Sequence, residues 1–318
     1  MPTGSPKWRQ RPPRRLMIRA GIAVLLIAAS LVTNRTYLGW GLFVVVAVLI
    51  VPMGRARSFL LSFVPYGVVW FLFTALRSLA DETVLARTLN TNVASVERWL
   101  FGGQLPSVTL QDRFFNPNQL QWYDYFLSFI HWSYFFVPHL VAVRLWQKHP
   151  GLFRHYLSAM ALLLTVGLFI YFLIPSNPPW MAGEQFNSPA AATVLRVMEP
   201  VGRQLGGGIY NASYRVIGES NPIAAMPSIH MAITFLLVFP ARAFGRRWRL
   251  LALLYAACMG TALVYLGEHY VIDIVIGMLV AAYGWFAAGS WLKLVAPLVN
   301  QRFSRSRPDL LTTPEPSR

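Results

Sequence analysis

Apolar residues gather into eight blocks along the chain, near 16–33, 37–53, 59–79, 122–146, 153–175, 229–244, 250–266 and 270–292. Each approaches the roughly 20 residues a helix needs to cross a bilayer. The pattern therefore predicts an all-α integral membrane protein of about eight transmembrane helices. Two long stretches of more mixed character, 80–121 and 176–227, separate the third block from the fourth and the fifth from the sixth. No internal repeat is visible, so an inverted-repeat transporter has no support. Apolar heptads with flanking charges are not sustained, so no coiled-coil partner is indicated.

Composition agrees with this reading. The 318 residues are 55% hydrophobic and 13% charged, where a soluble domain carries about 25% charged residues. The net charge of +16 would suit a nucleic-acid partner, but its distribution excludes that reading. Basic residues sit in short clusters between apolar blocks and in both tails, where they read as topology signals. With the N-terminus in the cytoplasm, the inner segments and adjoining helix ends hold 20 of the 28 Lys and Arg residues but only Asp309 and Glu315 among the acids. The reverse orientation would put Arg246-Arg247-Trp248-Arg249 outside, against the positive-inside rule. An N-in, C-in protein of the cell membrane follows, with 80–121 and 176–227 on the extracytoplasmic side. Residues 1–15 are a basic tail, and the first apolar block lacks a small-residue cleavage site, so it is expected to stay as an anchor. Residues 16–80 make an N-terminal hairpin plus a third span, 81–121 an outer loop, 122–292 a membrane core, and 293–318 a cytoplasmic tail whose polar, Pro-rich end predicts disorder. The single cysteine, Cys258, excludes an intrachain disulfide and a Cys-rich metal site.

Two short stretches at predicted outer membrane ends carry candidate chemistry. In Ala225-Met226-Pro227-Ser228-Ile229-His230, proline and serine are residues favoured where a helix begins. A helix N-terminus offers free N–H groups and positive dipole to a phosphate, and His230 would lie in its first turn. In Tyr265-Leu266-Gly267-Glu268-His269-Tyr270-Val271-Ile272-Asp273, one span ends and the last re-enters. If His269 opens that helix, Asp273 lies one turn on, on the same face. Its carboxylate can take the proton of one imidazole nitrogen and leave the other as nucleophile. His269 would attack phosphorus, Asp273 would orient it, and His230 would protonate the leaving oxygen. A bland alternative is that an i, i+4 His–Asp pair merely locks a helix. Two such elements at one end of nearby spans are harder to ascribe to packing.

Asp124, Ser128 and His131 recur at helical spacing near the outer end of the fourth block. They form a polar stripe that either lines the same cavity or makes packing hydrogen bonds, and Tyr134 is a candidate addition. His139 lies deeper and is expected to bond a neighbouring helix. His149 and His155 flank a cytoplasmic turn and are expected to be solvated. Trp180 reads equally as an interfacial anchor or a cavity wall. The Gly102-Gly103 turn is no phosphate loop, since the Lys-Ser/Thr ending is lacking.

Met226-Pro227-Ser228-Ile229-His230, with His269-x-x-x-Asp273 39 residues later, resembles the type 2 phosphatidic acid phosphatase superfamily, which carries Pro-Ser-Gly-His and a later Ser-Arg-x5-His-x3-Asp. The closer likeness is to its inositol phosphorylceramide synthase (aureobasidin-target) branch, where Pro-Ser-Leu-His takes the first place. The run Tyr171-Phe172-Leu173-Ile174-Pro175-Ser176-Asn177-Pro178-Pro179-Trp180 also looks like the Pro-Pro-Trp stretch of that branch. The resemblance covers roughly 121–292. It implies a six-helix membrane core and phosphoryl chemistry through a phosphohistidine, with no metal and no cofactor. On that resemblance His269 would be the nucleophile, Asp273 its orienting acid and His230 the general acid and base. From their own positions, Ser228, Tyr265, Asp124, His131 and Trp180 are the candidates to bind substrate.

This sequence also departs from the pattern. The superfamily's Lys-x6-Arg-Pro is absent, since Arg307-Pro308 lies in the cytoplasmic tail. The Ser-Arg pair would fall at Ala262-Leu263, and Glu268 stands directly before the nucleophile. An acid there opposes a doubly charged phosphate and favours a phosphodiester with one negative charge. Outer-loop Arg113, Arg203 and Arg215 are the candidates to fold over the site in place of the missing clamp. The reading that results is a membrane lipid phosphotransferase moving a headgroup such as phosphoinositol from a phospholipid donor to a lipid acceptor. Its alternatives are a lipid phosphate or polyprenyl (di)phosphate phosphatase with water as acceptor and, outside enzymes, a lipid transporter or scaffold.

Overall fold

The computed structural model describes residues 56–77, 79–80, 93–184, 193–205 and 224–304, together with Ile18 and Gly21. The basic tail, the first two predicted spans apart from Ile18 and Gly21, and the chain beyond 304 lie outside the described residues. So does Arg215. Among the described residues the chain is helical, and its one isolated bridge pairs Ser176 with Ala224.

The third predicted span is α1, Ala56–Arg77. Two short helices, α2 (Val93–Leu100) and α3 (Pro106–Phe114), follow at the end of the bundle where α1 terminates. The fourth predicted span is two helices, α4 (Trp122–Ser133) and α5 (Val137–Lys148), bent by 47°. Pro138 stands in the first turn of α5. Proline has no N–H to continue the ladder and its ring clashes with the preceding turn, so the helix breaks there. The fifth is α6, Pro150–Leu173, followed by the short α7, Pro179–Glu184. The sixth, predicted over 229–244, is interrupted: α8 (Ile229–Leu236), α9 (Val238–Ala241) and a final 3-10 turn. Pro240 sits inside it and leaves the Leu236 carbonyl without its usual partner. The seventh is α10, Arg246–Tyr265, and the eighth α11, Val271–Ser304.

Four of these helices are long and apolar enough to cross a membrane, and the bent α4–α5 pair makes a fifth. The chain is an all-α, multi-pass membrane protein. α11 runs past the predicted end at 292, into the segment assigned from sequence to a disordered tail. Leu294, Val295, Leu298 and Val299 continue the apolar sequence there.

α11 packs chiefly on α6 and α8, and α10 on α4 and α8. Their shared core includes Tyr156, Met160, Leu163, Ile233, Leu236 and Met259, all fully buried. Outward residues are equally apolar: Leu61, Leu254, Leu279 and Phe286 are more than half exposed. That is expected where hydrocarbon is the solvent, since helices satisfy their own backbone and need hide no apolar face. Polar groups turn inward. The Tyr66 hydroxyl meets His139 Nδ1 at 2.9 Å, so His139 does bond a neighbouring helix. His155 is not left to solvent: its Nε2 meets the Trp285 carbonyl at 2.9 Å and its ring lies 4.4 Å from the Trp285 ring. His149 rests against Phe244, with ring centroids 5.0 Å apart. The turn predicted from charge is packed against α11 and the end of the α8–α9 arm.

Glycine sets how closely α11 approaches. A Cβ on Gly277 would lie 2.5 Å from the Ser228 carbonyl oxygen, and one on Gly284 2.8 Å from that of Ala159. Both obstacles are backbone, which cannot swing aside as a side chain can. Small residues at such crossings let transmembrane helices pack by backbone contact. Gly277→Ala is expected to cost about 1–3 kcal/mol through overpacking, read as a lower thermal midpoint in detergent. Gly260→Ala, whose Cβ would meet its nearest atom at 3.9 Å, should be tolerated. Equal midpoints for the two variants would refute the close-approach account.

Candidate active site

The site is built where α8 and α11 begin side by side. Ser228 caps α8, its Oγ accepting from Met231 N at 3.2 Å, as its sequence position suggested. The Ser228 N–H donates to the Asp273 carbonyl at 3.0 Å, which ties the two helix starts together. Upstream, Ser176 holds the approach: its carbonyl accepts from Ala225 N and its Oγ from Met226 N. These bonds bring His230 against His269, with Nδ1 of the first 3.3 Å from Nε2 of the second.

Behind His269 lies Asp273, fully buried. Its Oδ2 is 3.4 Å from His269 Nδ1 and accepts from Tyr270 N at 3.0 Å. This carboxylate therefore does both things that its spacing allowed: it closes the first turn of α11 in the manner of a capping box, and it faces the imidazole. The 3.4 Å separation is long for a hydrogen bond. On its other side His230 is sandwiched by rings, with centroids 4.6 Å from His131 and 4.5 Å from Tyr134.

His230 and His269 open onto a pocket also lined by Arg77, Tyr171, Trp180, Arg196 and Glu268. Its two arginines are not the predicted ones. Arg113 lies over the Phe114 ring, and Arg203 pairs with Glu199 on the surface. Arg77 comes from the last turn of α1, where its guanidinium lies 5.9 Å from the centroid of Tyr171. Arg196 Nε donates to Glu268 Oε1 at 2.9 Å, and its guanidinium stands 4.3 Å over the Trp180 ring. Of the residues expected to bind substrate, Trp180 thus lines the pocket and His131 lies one ring behind it. Ser228, Tyr265 and Asp124 do not line it. Ser228 is committed to its cap. The Tyr265 hydroxyl donates to Asp124 Oδ1, while Asp124 Oδ2 accepts from Gln121 N at 2.7 Å and closes the start of α4. The polar stripe of α4 thus divides, with Asp124 bracing α10 and His131 reaching the histidines.

Two further residues had no distinct signal in the sequence. Gln111, on α3, donates through Nε2 to the carbonyls of Leu195 and Tyr265 and accepts from Leu195 N. It staples the segment before Arg196 to the end of α10. Gly267, at φ 76°, makes that approach possible, since a Cβ there would lie 2.8 Å from the Leu195 carbonyl. Glu97, on α2, is fully buried and accepts from Ile272 N at 3.0 Å, placing a carboxylate on the positive end of α11. An amphipathic outer helix with one acid on its apolar face was the trace available beforehand.

The sequence profile of the PAP2 superfamily matches residues 91–287. Over 128 residues the chain is 30% identical to the phosphoinositol dihydroceramide synthase of Bacteroides thetaiotaomicron, an alignment covering 38% of this chain and 40% of that relative. No solved structure matches.

Burial, opposed by the N–H of Ile272 and reinforced by the nearby Asp273 charge, pushes the Glu97 carboxyl from 4.5 up to about 7. The folded protein then holds a proton that the unfolded chain has released between those values. Stability must fall as pH rises through that window and level off above it. Thermal midpoints of wild type should drop between about pH 5 and about pH 8, and Glu97→Gln should flatten the drop. Parallel pH profiles for the two proteins would contradict this.

Proposed function

The chain belongs to the PAP2 superfamily, a family of lipid phosphatases and phosphotransferases, and we propose that it is a lipid phosphotransferase working through a phosphohistidine on His269 at the extracytoplasmic face. The observation that carries the proposal is the relay Asp273–His269–His230, set at the wall of a pocket that also holds Arg77 and Arg196. His269 Nε2 attacks the phosphorus of a phospholipid phosphodiester. The bond to the departing lipid oxygen breaks, and that oxygen takes a proton from His230. Asp273 stabilises the charge that develops on the imidazole by accepting at Nδ1. In the second half, His230 takes the proton of an acceptor lipid hydroxyl, whose oxygen attacks phosphorus and releases His269. The arginines steady the phosphoryl oxygens throughout.

Transfer to a lipid, with phosphoinositol as the headgroup, is favoured over hydrolysis by the likeness to the Bacteroides relative, a phosphoinositol dihydroceramide synthase. It is favoured too by the carboxylate of Glu268, which pairs with Arg196 at the pocket wall and is unfavourable to a dianionic monoester.

Purified protein incubated with phosphatidylinositol labelled in the headgroup phosphate should acquire an acid-labile, base-stable label, and His269→Ala should acquire none. Adding a ceramide or diacylglycerol acceptor should discharge the label into a new lipid. Release only as water-soluble inositol phosphate would make water the acceptor and the protein a hydrolase, and a folded His269→Ala with full cellular activity would make it a transporter or scaffold. His230→Ala should slow turnover by about 10²–10⁴-fold.

A further inference from the structure

The charged side chains lining the pocket, among the described residues, are Arg77, Arg196 and Glu268. Glu268 is the one that opposes an anion, because it directly precedes the proposed nucleophile and sits where a phosphate must arrive. It is held there deliberately by the backbone. Gly267 turns with φ 76°, its carbonyl accepts from Trp180 N at 3.1 Å, and Glu268 N and His269 N both donate to the Leu263 carbonyl. Arg196 arrives from a separate segment that Gln111 fixes to α10. The resulting ion pair is mostly buried, with the two side chains 18% and 8% exposed, and the Trp180 face covers the guanidinium.

A buried pair of this kind is seldom retained for stability, because desolvation cancels most of the attraction. Its position points to another use. Glu268 takes up the charge of Arg196, so the guanidinium at the pocket wall meets a phosphoryl oxygen without adding a full positive charge. A phosphodiester, with one negative charge, suits such a seat. A phosphomonoester carries nearly two at neutral pH, and its second charge would face the Glu268 carboxylate at short range in a poorly solvated pocket.

Resting on the phosphotransferase reading, we propose that Glu268 is a specificity-determining residue which, through its pair with Arg196, restricts the pocket to singly charged phosphodiesters and rejects doubly charged phosphomonoesters. It acts by setting the charge of the seat. It exchanges no proton or bond with the substrate.

The test compares two soluble headgroups, glycerophosphoinositol (a phosphodiester) and glycerol 3-phosphate (a monoester), by isothermal titration into the full chain in detergent micelles. Wild type should bind the diester more tightly. In Glu268→Gln, which keeps shape and hydrogen-bonding reach, the affinity ratio should move toward the monoester by about tenfold or more, since a like charge has been removed. In Arg196→Gln the carboxylate loses the positive charge of this partner and both ligands should weaken. The double variant should recover the diester better than Arg196→Gln does, giving a non-additive cycle. A ratio within about twofold of wild type in Glu268→Gln, or strict additivity of the cycle, would overturn the proposal and leave the pair a structural brace. So would a wild type with no preference. A protein that labels on His269 while its binding ratio stays fixed sinks only this inference. One whose ratio shifts without any acid-labile label sinks only the phosphohistidine reading.

Discussion

One backbone hydrogen bond, from the Ser228 N–H to the Asp273 carbonyl, sets how the two histidines of the site face each other. It joins the first turn of α8 to the first turn of α11, two helices that begin 42 positions apart, at Ile229 and Val271. The bond needs the helices in backbone contact, and Gly277 provides the space one turn further along. Once they are joined, the imidazoles of His230 and His269 have little choice of partner. Each sits within a turn of the junction, and the two meet at 3.3 Å. The geometry of the two histidines therefore depends on main-chain atoms and a missing side chain, which place atoms more rigidly than side-chain packing can.

Electrostatics at this junction is layered. Two helix N-termini converge, and each has its positive end satisfied before any substrate arrives. Ser228 serves α8, while Glu97 and Asp273 serve α11. The two acids near α11 answer unsatisfied N–H groups, so their burial is not gratuitous. Arginines are kept outside that layer. They stand on the pocket wall, each against an aromatic face, Arg77 near Tyr171 and Arg196 over Trp180. Aromatic faces hold guanidinium groups flat while leaving their edges available.

Local signals were legible in the sequence. Span positions follow from apolar length, and proline, serine and the i, i+4 spacing of His269 and Asp273 announce two helix starts. The likeness of Pro227-Ser228-Ile229-His230 to a family motif also has its counterpart in the profile match over 91–287. What escaped depended on which distant segments fold together. Arg77 closes a span that looked generic, and Arg196 sits in a loop with several arginines of equal standing. Nothing in the chain's order says that 77 and 196 share a wall while 113 and 203 do not. Asp124 was grouped with His131 because helical periodicity gives a face, and two ends of one face can serve different neighbours. The kinks at Pro138 and Pro240 were visible as prolines, but a window of hydropathy averages across them.

Gln111 shows how such a site can be held with little demand on sequence. Its amide contacts only main-chain atoms of Leu195 and Tyr265, so the staple is indifferent to which side chains those positions carry. The demand falls instead on residue 111, which must donate and accept at one reach. Ionised glutamate lacks the donor, and asparagine is a methylene shorter. Among diverging copies of this chain, the segment beside Arg196 is therefore free to drift while its anchor is not, so the loop can change its outer surface without disturbing where the guanidinium stands.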